Sequence, residues 1–171
     1  MSRHPDAVFI ESCSSPVGRV GFQFAIDGEL VAISLPTDAA PADSVTTKRP
    51  GGAPKRAEVE AWLSAFMEGQ SIPWTGRWRL PGTSPFYRKV YGLVVTIPPG
   101  MTMGYGEVAA ACGSPGGARA VGTAMRQNTL PLLVPCHRVL AANGIGGFAG
   151  GLDGALDLKV SLLALEANGT F

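Results

Sequence analysis

An α+β fold is predicted for this chain: an N-terminal antiparallel sheet with a helix, then a mainly helical C-terminal part with a helix-turn-helix and a cysteine site. Three observations predict it. Short β-rich runs near the N-terminus are punctuated by turn sequences, and five later segments read as helices. Hydrophobic residues make up 46% of the 171 and charged residues 16%, enough apolar material to bury a core rather than remain disordered. Gly 23 and Pro 14 add many turns.

The strands are read at Val8–Glu11, Val20–Ala25 and Leu30–Ser34, joined through Ser15-Pro16-Val17-Gly18 and the hairpin dipeptide Asp27-Gly28. Residues 37–54, rich in Pro, Ala, Ser, Thr and Gly, form a loop. From Lys55 to Met67, the residues Val59, Trp62, Leu63 and Phe66 recur at i, i+3, i+4, i+7, and Gly69 stops that helix. An extended segment follows from Trp74 to Leu80. A boundary near Gly82 divides the chain into an N-terminal α/β domain (1–81) and a C-terminal domain (82–171). Ser84 or Pro85 opens the next helix, with Phe86, Val90, Leu93, Val94 and Ile97 inward, and Pro98-Pro99-Gly100 ends it.

Glu107 to Cys112 reads as a short helix stopped by Gly113. Ser114 suits an N-cap and Pro115 a first helical position, so a second helix is expected from about Gly116 to Gln127. Short helix, tight turn and longer basic helix are helix-turn-helix grammar, in which the second helix lies against DNA. An ordinary pair of core helices fits equally well, because Val121, Ala124 and Met125 also have buried character.

Charge is uneven along the chain. Residues 1–68 carry net −3, residues 69–152 net +6 and residues 153–171 net −2. The middle stretch holds Arg77, Arg79, Arg88, Lys89, Arg119, Arg126 and Arg138 against the single acid Glu107. Fluctuation in a charge-poor segment would produce this, and so would a face that meets a polyanion such as a nucleic-acid backbone. Three cysteines without a C-x-x-C pair exclude a disulfide framework and a four-cysteine zinc site. No signal-peptide pattern and no apolar run of membrane-spanning length is present, which predicts an intracellular, cytoplasmic protein in a reducing compartment.

Chemistry concentrates at Cys136-His137, directly after the apolar run Leu130–Pro135. A thiolate is the reactive form of cysteine, and a neighbouring imidazole can take its proton. Adjacent residues on a strand point to opposite faces, so the pair needs a turn or a bridging water to communicate. The loop Asn143–Gly151 holds five glycines, which lets backbone approach a flat ligand closely. A final helix, Leu156 to Ala167, presents Leu158, Leu162 and Leu165 inward. Its Glu166 is either a solvated helix-end charge or the group that orients His137.

Together, Pro135-Cys-His-Arg-Val139, Ala118-Arg-Ala-Val-Gly122, Asn128, Gly150-Gly151 and Leu162-Leu163-Ala-Leu-Glu166 resemble the methylated-DNA–protein-cysteine methyltransferases, the O6-alkylguanine-DNA alkyltransferases. The resemblance covers roughly Gly82 to Glu166. It implies a single-use DNA repair protein that takes the alkyl group of O6-alkylguanine, and of O4-alkylthymine, onto Cys136 after base flipping from the minor groove. His137 is then the base, acting through a water, with Glu166 orienting it and Asn128 bracing the active-site turn. Arg119 fills the gap left by the extruded nucleotide, Tyr105 helps to rotate the base and donates to it, and Ala120 and Gly122 permit close approach to DNA. Met125, Val139, Phe148 and Ala149 line the pocket. Double-stranded DNA is the implied partner, with no cofactor, no metal, no membrane and no obligate protein partner, and the protein acts as a monomer. His4 and Cys13 lack partners for a zinc site.

Four positions depart from the family pattern: Thr129 where proline is common, Tyr91 for tryptophan, Phe148 for tyrosine, and extra residues at Asp153–Asp157. Two other functions compete. A non-catalytic relative that binds alkylated bases and recruits repair factors typically lacks the cysteine, which is present here. A cysteine hydrolase has only the Cys–His pair in its favour.

Overall fold

Turn chemistry folds the N-terminal strands on one another in the computed structural model, which describes residues 6–7, 9–36, 48–79, 84–148, 151 and 153–168. Strands β1 (Phe9–Ser15), β2 (Gly18–Phe24) and β3 (Leu30–Ser34) form an antiparallel sheet in the order β1-β2-β3. Phe9 pairs with Phe24 and Ser15 with Gly18, so the first hairpin zips to its turn at Pro16-Val17. This makes β1 and β2 longer toward the turn than alternation suggests, because the ladder closes through Ser12–Ser15 despite their polarity. Val8 lies outside the described residues, as do 37–47 of the expected loop.

Helix α1 (Arg56–Met67) packs on this sheet. Glu58 Oε2 accepts the backbone N–H of Lys55 and closes the first turn. The predicted stripe buries Val59, Trp62 and Leu63 and leaves Phe66 half-buried. Trp62 meets Phe22 edge-on at 6.1 Å, and Trp74 stacks on Phe22 at 5.8 Å. Such aromatic pairs add about 0.5–1.5 kcal/mol each beyond their burial. The extended segment expected over Trp74 to Leu80 is reduced to a single bridge between Trp78 and Leu30. Trp74 is committed to the aromatic cluster instead of a ladder. Leu80 and the boundary at Gly82 lie outside the described residues.

The C-terminal half contains α2 (Pro85–Val95), α3 (Tyr105–Ala111), α4 (Ala118–Arg126) and α5 (Ala155–Asn168). Ser84 caps α2 by accepting from Tyr87 N–H at 3.1 Å. Glu107, the single acid of the basic stretch, accepts the N–H of Gly104 and caps α3. Helix α4 begins at Ala118, not at Gly116, and Ser114 is not its N-cap. Gly117 N–H instead donates to Ser114 O at 2.7 Å, which winds 114–117 into a separate tight turn. A Cβ at Gly117 would lie 2.7 Å from Ser114 Oγ, so the close turn needs glycine there. Tyr91, in place of tryptophan, sends its hydroxyl to Ala124 O at 2.6 Å and ties α2 to α4.

Two short strands that periodicity does not reveal, β4 (Met103–Gly104) and β5 (Val139–Leu140), pair in parallel. They join the entrance of the helix-turn-helix to the segment that follows Cys136. The halves are also joined by Ile33 N–H, which donates to Thr129 O at 2.8 Å, and one apolar core runs through both. Among the described residues, no helix is long and apolar enough to cross a membrane.

Candidate active site

Cys136 and His137 escape the opposite-face problem of a strand because Cys136–Arg138 is one turn of 3-10 helix. Asn128 supports that turn from below. Its Oδ1 accepts from Leu130 N–H at 3.0 Å, and its Nδ2 donates to Val134 O at 2.8 Å, so one carboxamide fastens both ends of the preceding loop. Leu132, held at φ +74° within that loop, is a strained position for a branched residue. Thr129 leaves this clamp intact and uses its carbonyl for the contact with β3.

Glu166 is buried, 1% exposed, and so is not a solvated helix-end charge. His137 Nε2 lies 2.9 Å from Glu166 Oε1. Arg138 donates through Nε and through a second guanidinium nitrogen to the same carboxylate, and Gly100 N–H donates to it at 3.3 Å. Burial alone would raise the Glu166 carboxyl, but the bonds from His137 and Arg138 outweigh it and hold the pKa at about 2. An ionised carboxylate only accepts, so Nε2 of His137 carries the hydrogen and Nδ1 a lone pair. Nδ1 is buried and has no hydrogen-bond partner among the described residues.

Burial pushes the Cys136 thiol up, against the hydrogen bond from Asn128 and the charge of Lys159, and pushes His137 down more than Glu166 raises it. The resting pair is therefore a neutral thiol beside a neutral imidazole with a free lone pair. The imidazole is clamped edge-on between Phe66 at 6.1 Å and Phe148 at 6.5 Å.

Cys136 opens into a cavity of about 480 Å³ walled by Tyr105, Met125, Gly147 and Phe148 and by the outward residues of α4. Arg119, Gly122, Thr123 and Arg126 recur at i, i+3, i+4, i+7 and form that side, while Val121 and Ala124 face the core. Tyr105 donates its hydroxyl to Gly147 O at 3.3 Å. Gly146 sits at φ +74°, and a Cβ there would come 3.0 Å from the Tyr105 ring, so the loop closes over the tyrosine only as glycine. Val139 does not line this cavity. It is fully buried and pairs with Met103, because the 3-10 turn rotates the chain into β5 immediately after Arg138. Ala120 is half-buried on α4 and also lies off the cavity wall. Ala149 lies outside the described residues.

The basic stretch is only partly a face for an anion. Arg138 is buried on Glu166, Arg77 pairs with Asp27 and Arg79 with Glu29. Arg88, Lys89, Arg119 and Arg126 are exposed and form no ion pair among the described residues. Three contributors are missed by sequence reasoning: Arg138, Lys159 and Phe66. A signal existed for Lys159 and Glu166. With Ala155, Leu158 and Leu162 they fall at i, i+3, i+4, i+7, i+11, two charges set into the apolar stripe of α5.

A buried thiol, imidazole and carboxylate opening beside a helix-turn-helix define the class: a helix-turn-helix protein with a cysteine–histidine–glutamate site. The sequence profile of the 6-O-methylguanine DNA methyltransferase DNA-binding domain matches residues 85–168. The methylated-DNA–protein-cysteine methyltransferase of Mycobacterium leprae is 41% identical over 111 residues, 64% of this chain and 64% of that protein. The one from Methanosarcina acetivorans is 38% identical over 112 residues, 65% of this chain and 69% of the relative. The match thus spans slightly under two thirds of the Mycobacterium leprae relative. The crystal structure of Mycobacterium tuberculosis OGT in complex with DNA superposes with a TM-score of 0.74 at 32% identity, covering 94% of this chain and 93% of that one. The chain belongs to the methylated-DNA–protein-cysteine methyltransferase family.

Proposed function

We propose that this protein repairs DNA by transferring an alkyl group from O6 of guanine to its own Cys136, once per molecule. The observation that carries this reading is the Cys136 thiol at the wall of the cavity, backed by the buried His137–Glu166–Arg138 arrangement. The thiol proton passes to Nδ1 of His137 through a water, the sulfur attacks the alkyl carbon, and the carbon–O6 bond breaks. The guanine oxygen that leaves accepts a hydrogen bond from the Tyr105 hydroxyl, and the guanine takes one proton from solvent, to which His137 returns the proton it took from the thiol. A thioether forms, with no ionisable proton and no second thiol beside it to resolve it, so the protein is consumed.

The cavity volume falls within the range of about 300–1,000 Å³ usual for small-ligand sites, which suits an extruded base. The exposed α4 face with Arg119 and Arg126 supports approach to the minor groove, and Gly122 keeps that face low. O4-alkylthymine presents an alkylated exocyclic oxygen of the same kind and is a second substrate. The relay is complete within one chain, which supports action as a monomer. Three free thiols suit a reducing intracellular compartment.

The test is duplex DNA carrying a labelled methyl group on guanine O6. One equivalent of label on the peptide containing Cys136 is expected. Label released to solvent, or DNA bound without transfer, would refute the reading in favour of a hydrolase or a non-catalytic binder. Arg119→Ala is expected to slow transfer from duplex DNA by about tenfold or more while sparing transfer from free O6-benzylguanine, since unstacking a base costs a few kcal/mol that an inserted arginine offsets. Equal losses on both substrates would exclude the stacking role.

A further inference from the structure

Phe66, in the last turn of α1, meets the His137 ring edge-on, with centroids 6.1 Å apart and planes at 77°. Trp62, one turn earlier, tilts against Phe66 at 5.7 Å and is itself held edge-on by Phe22 and Trp74. An aromatic chain thus runs from the N-terminal sheet to the proposed base. On its other side Phe66 borders a second cavity, of about 290 Å³, between the two halves of the chain. Trp62, Pro135 and Arg138 also wall that cavity, together with Gln70 and Ser71, which are exposed and open it to solvent. His137 takes no part in this wall and is 0% exposed, whereas Phe66 is half-buried. The phenyl ring therefore separates a space that water can enter from a dry imidazole.

We propose that Phe66 is a positioning residue for alkyl transfer, a plug from the N-terminal half that fixes the plane of the His137 ring and walls it off from the neighbouring cavity. This rests on the reading of Cys136 as alkyl acceptor and His137 as its base. Phe66 makes and breaks no bond. It acts through His137, by keeping water away from an imidazole that must be neutral to take the thiol proton.

Burial is the main cause that lowers His137, and it outweighs the opposing hydrogen bond and charge of Glu166. The titratable and charged groups that face the ring are Glu166 and Lys159 from α5, and Cys136 and Arg138 from its own turn. Lys159 is held in place by Val139 O at 2.7 Å and Gly147 O at 3.2 Å. On α1 the charged residues Arg56, Glu58 and Glu60 are exposed, and Phe148, packed at 6.5 Å, carries no charge. Shortening Phe66 alters none of these groups, so a changed His137 titration in a Phe66 variant reports water at the ring. Phe66→Ala joins the cavity to the imidazole, and water that solvates the imidazolium raises its pKa. The base is then lost at a higher pH than in the wild type. Because the folded pKa of His137 is lowered, its protonation also costs stability as pH falls below the ordinary 6.5, and the fold is therefore followed alongside the rate.

The test pairs the rate of transfer from free O6-benzylguanine, between about pH 5 and pH 8.5, with an NMR titration of the His137 ring and circular dichroism at each pH. The wild-type ring is expected to titrate below the ordinary 6.5. Phe66→Ala is expected to raise that midpoint in both measurements. At the acid end it should lose up to about tenfold in rate for each pH unit of the rise, while at the alkaline end it stays within about threefold of the wild type. Phe66→Leu still fills the gap with apolar atoms and is expected to keep the wild-type midpoint. A Phe66→Ala protein with the wild-type midpoint, slowed equally at every pH, would overturn the proposal and leave Phe66 a packing residue. Should the alanine variant not fold, the wild-type titration decides, and a midpoint at or above 6.5 overturns the proposal. No transfer by the wild type at any pH would instead sink the reading of Cys136, while the NMR titration still judges Phe66, so the two failures are distinct.

Discussion

Cys136→Ser is expected to abolish label transfer from O6-methylguanine while leaving the fold and duplex binding in place. The hydroxyl is a far weaker nucleophile than a thiol at neutral pH, and the neutral His137, its pKa pushed down by burial, is a poor base for so weak an acid. The exchange removes little volume, and the Asn128 hydrogen bond to the side chain can persist, so thermal stability should change by only about 1 kcal/mol. The proposed duplex contact is the exposed face of α4, which this residue does not form. The measurement is label on protein after gel separation, with duplex affinity and melting temperature as controls. Residual transfer within about tenfold of wild type would displace Cys136 as the acceptor. Loss of folding would be seen in the melt, and Cys136→Ala would then serve as the second variant.

Glu166→Gln is expected to have the largest effect on stability. The carboxylate accepts from His137, from two nitrogens of Arg138 and from Gly100, and the amide that replaces it turns a donor toward those donors. Removing one partner of a buried ion pair costs about 3–5 kcal/mol, and in a chain of this size each kcal/mol lowers Tm by about 2–4 °C. A loss of about 6–20 °C follows. Transfer should also slow, because nothing then holds the hydrogen of His137 on Nε2 and the lone pair on Nδ1.

The acid dependence carries an independent sign. The folded pKa of Glu166, about 2, lies below its unfolded value, so its stabilisation is complete above about 4.5 and is lost as pH falls toward 2. On the order of 3 kcal/mol of wild-type stability should disappear over that window, and Glu166→Gln should lack this segment of the curve. A variant that melts within 2 °C of wild type (about half a kcal/mol), or that shows the same acid slope, would count against the buried relay.

Local grammar in the chain set much of the fold. Asp27-Gly28 and Ser15–Gly18 specify two hairpins by backbone conformation alone, and Val59, Trp62 and Leu63 specify the buried face of α1 by spacing alone. The motif around Cys136 marks the candidate site for a similar reason: a thiol, an imidazole and the proline that precedes them are contiguous. The start of α4 was legible less well, because Ser114-Pro115 is a good helix opening locally and only the close approach of Gly117 to Ser114 decides otherwise. Strands of two residues, such as β4 and β5, carry no periodicity to read.

Local sequence predicted the α+β class and offered a helix-turn-helix beside an ordinary helix pair, and the resemblance around Pro135–Val139 pointed to Cys136, since each depends on neighbours within a few positions. Tertiary structure decided which charges are free and which are structural. Arg138 reads as one more cation of a basic stretch until α5 brings Glu166 to it from 28 residues away. Lys159 reads as a surface lysine until the glycine loop and β5 enclose it. A side chain's charge is encoded locally, but its energy depends on how much water it has lost and which partners replaced that water. Those quantities come from distant segments, and only folding assembles them around Cys136.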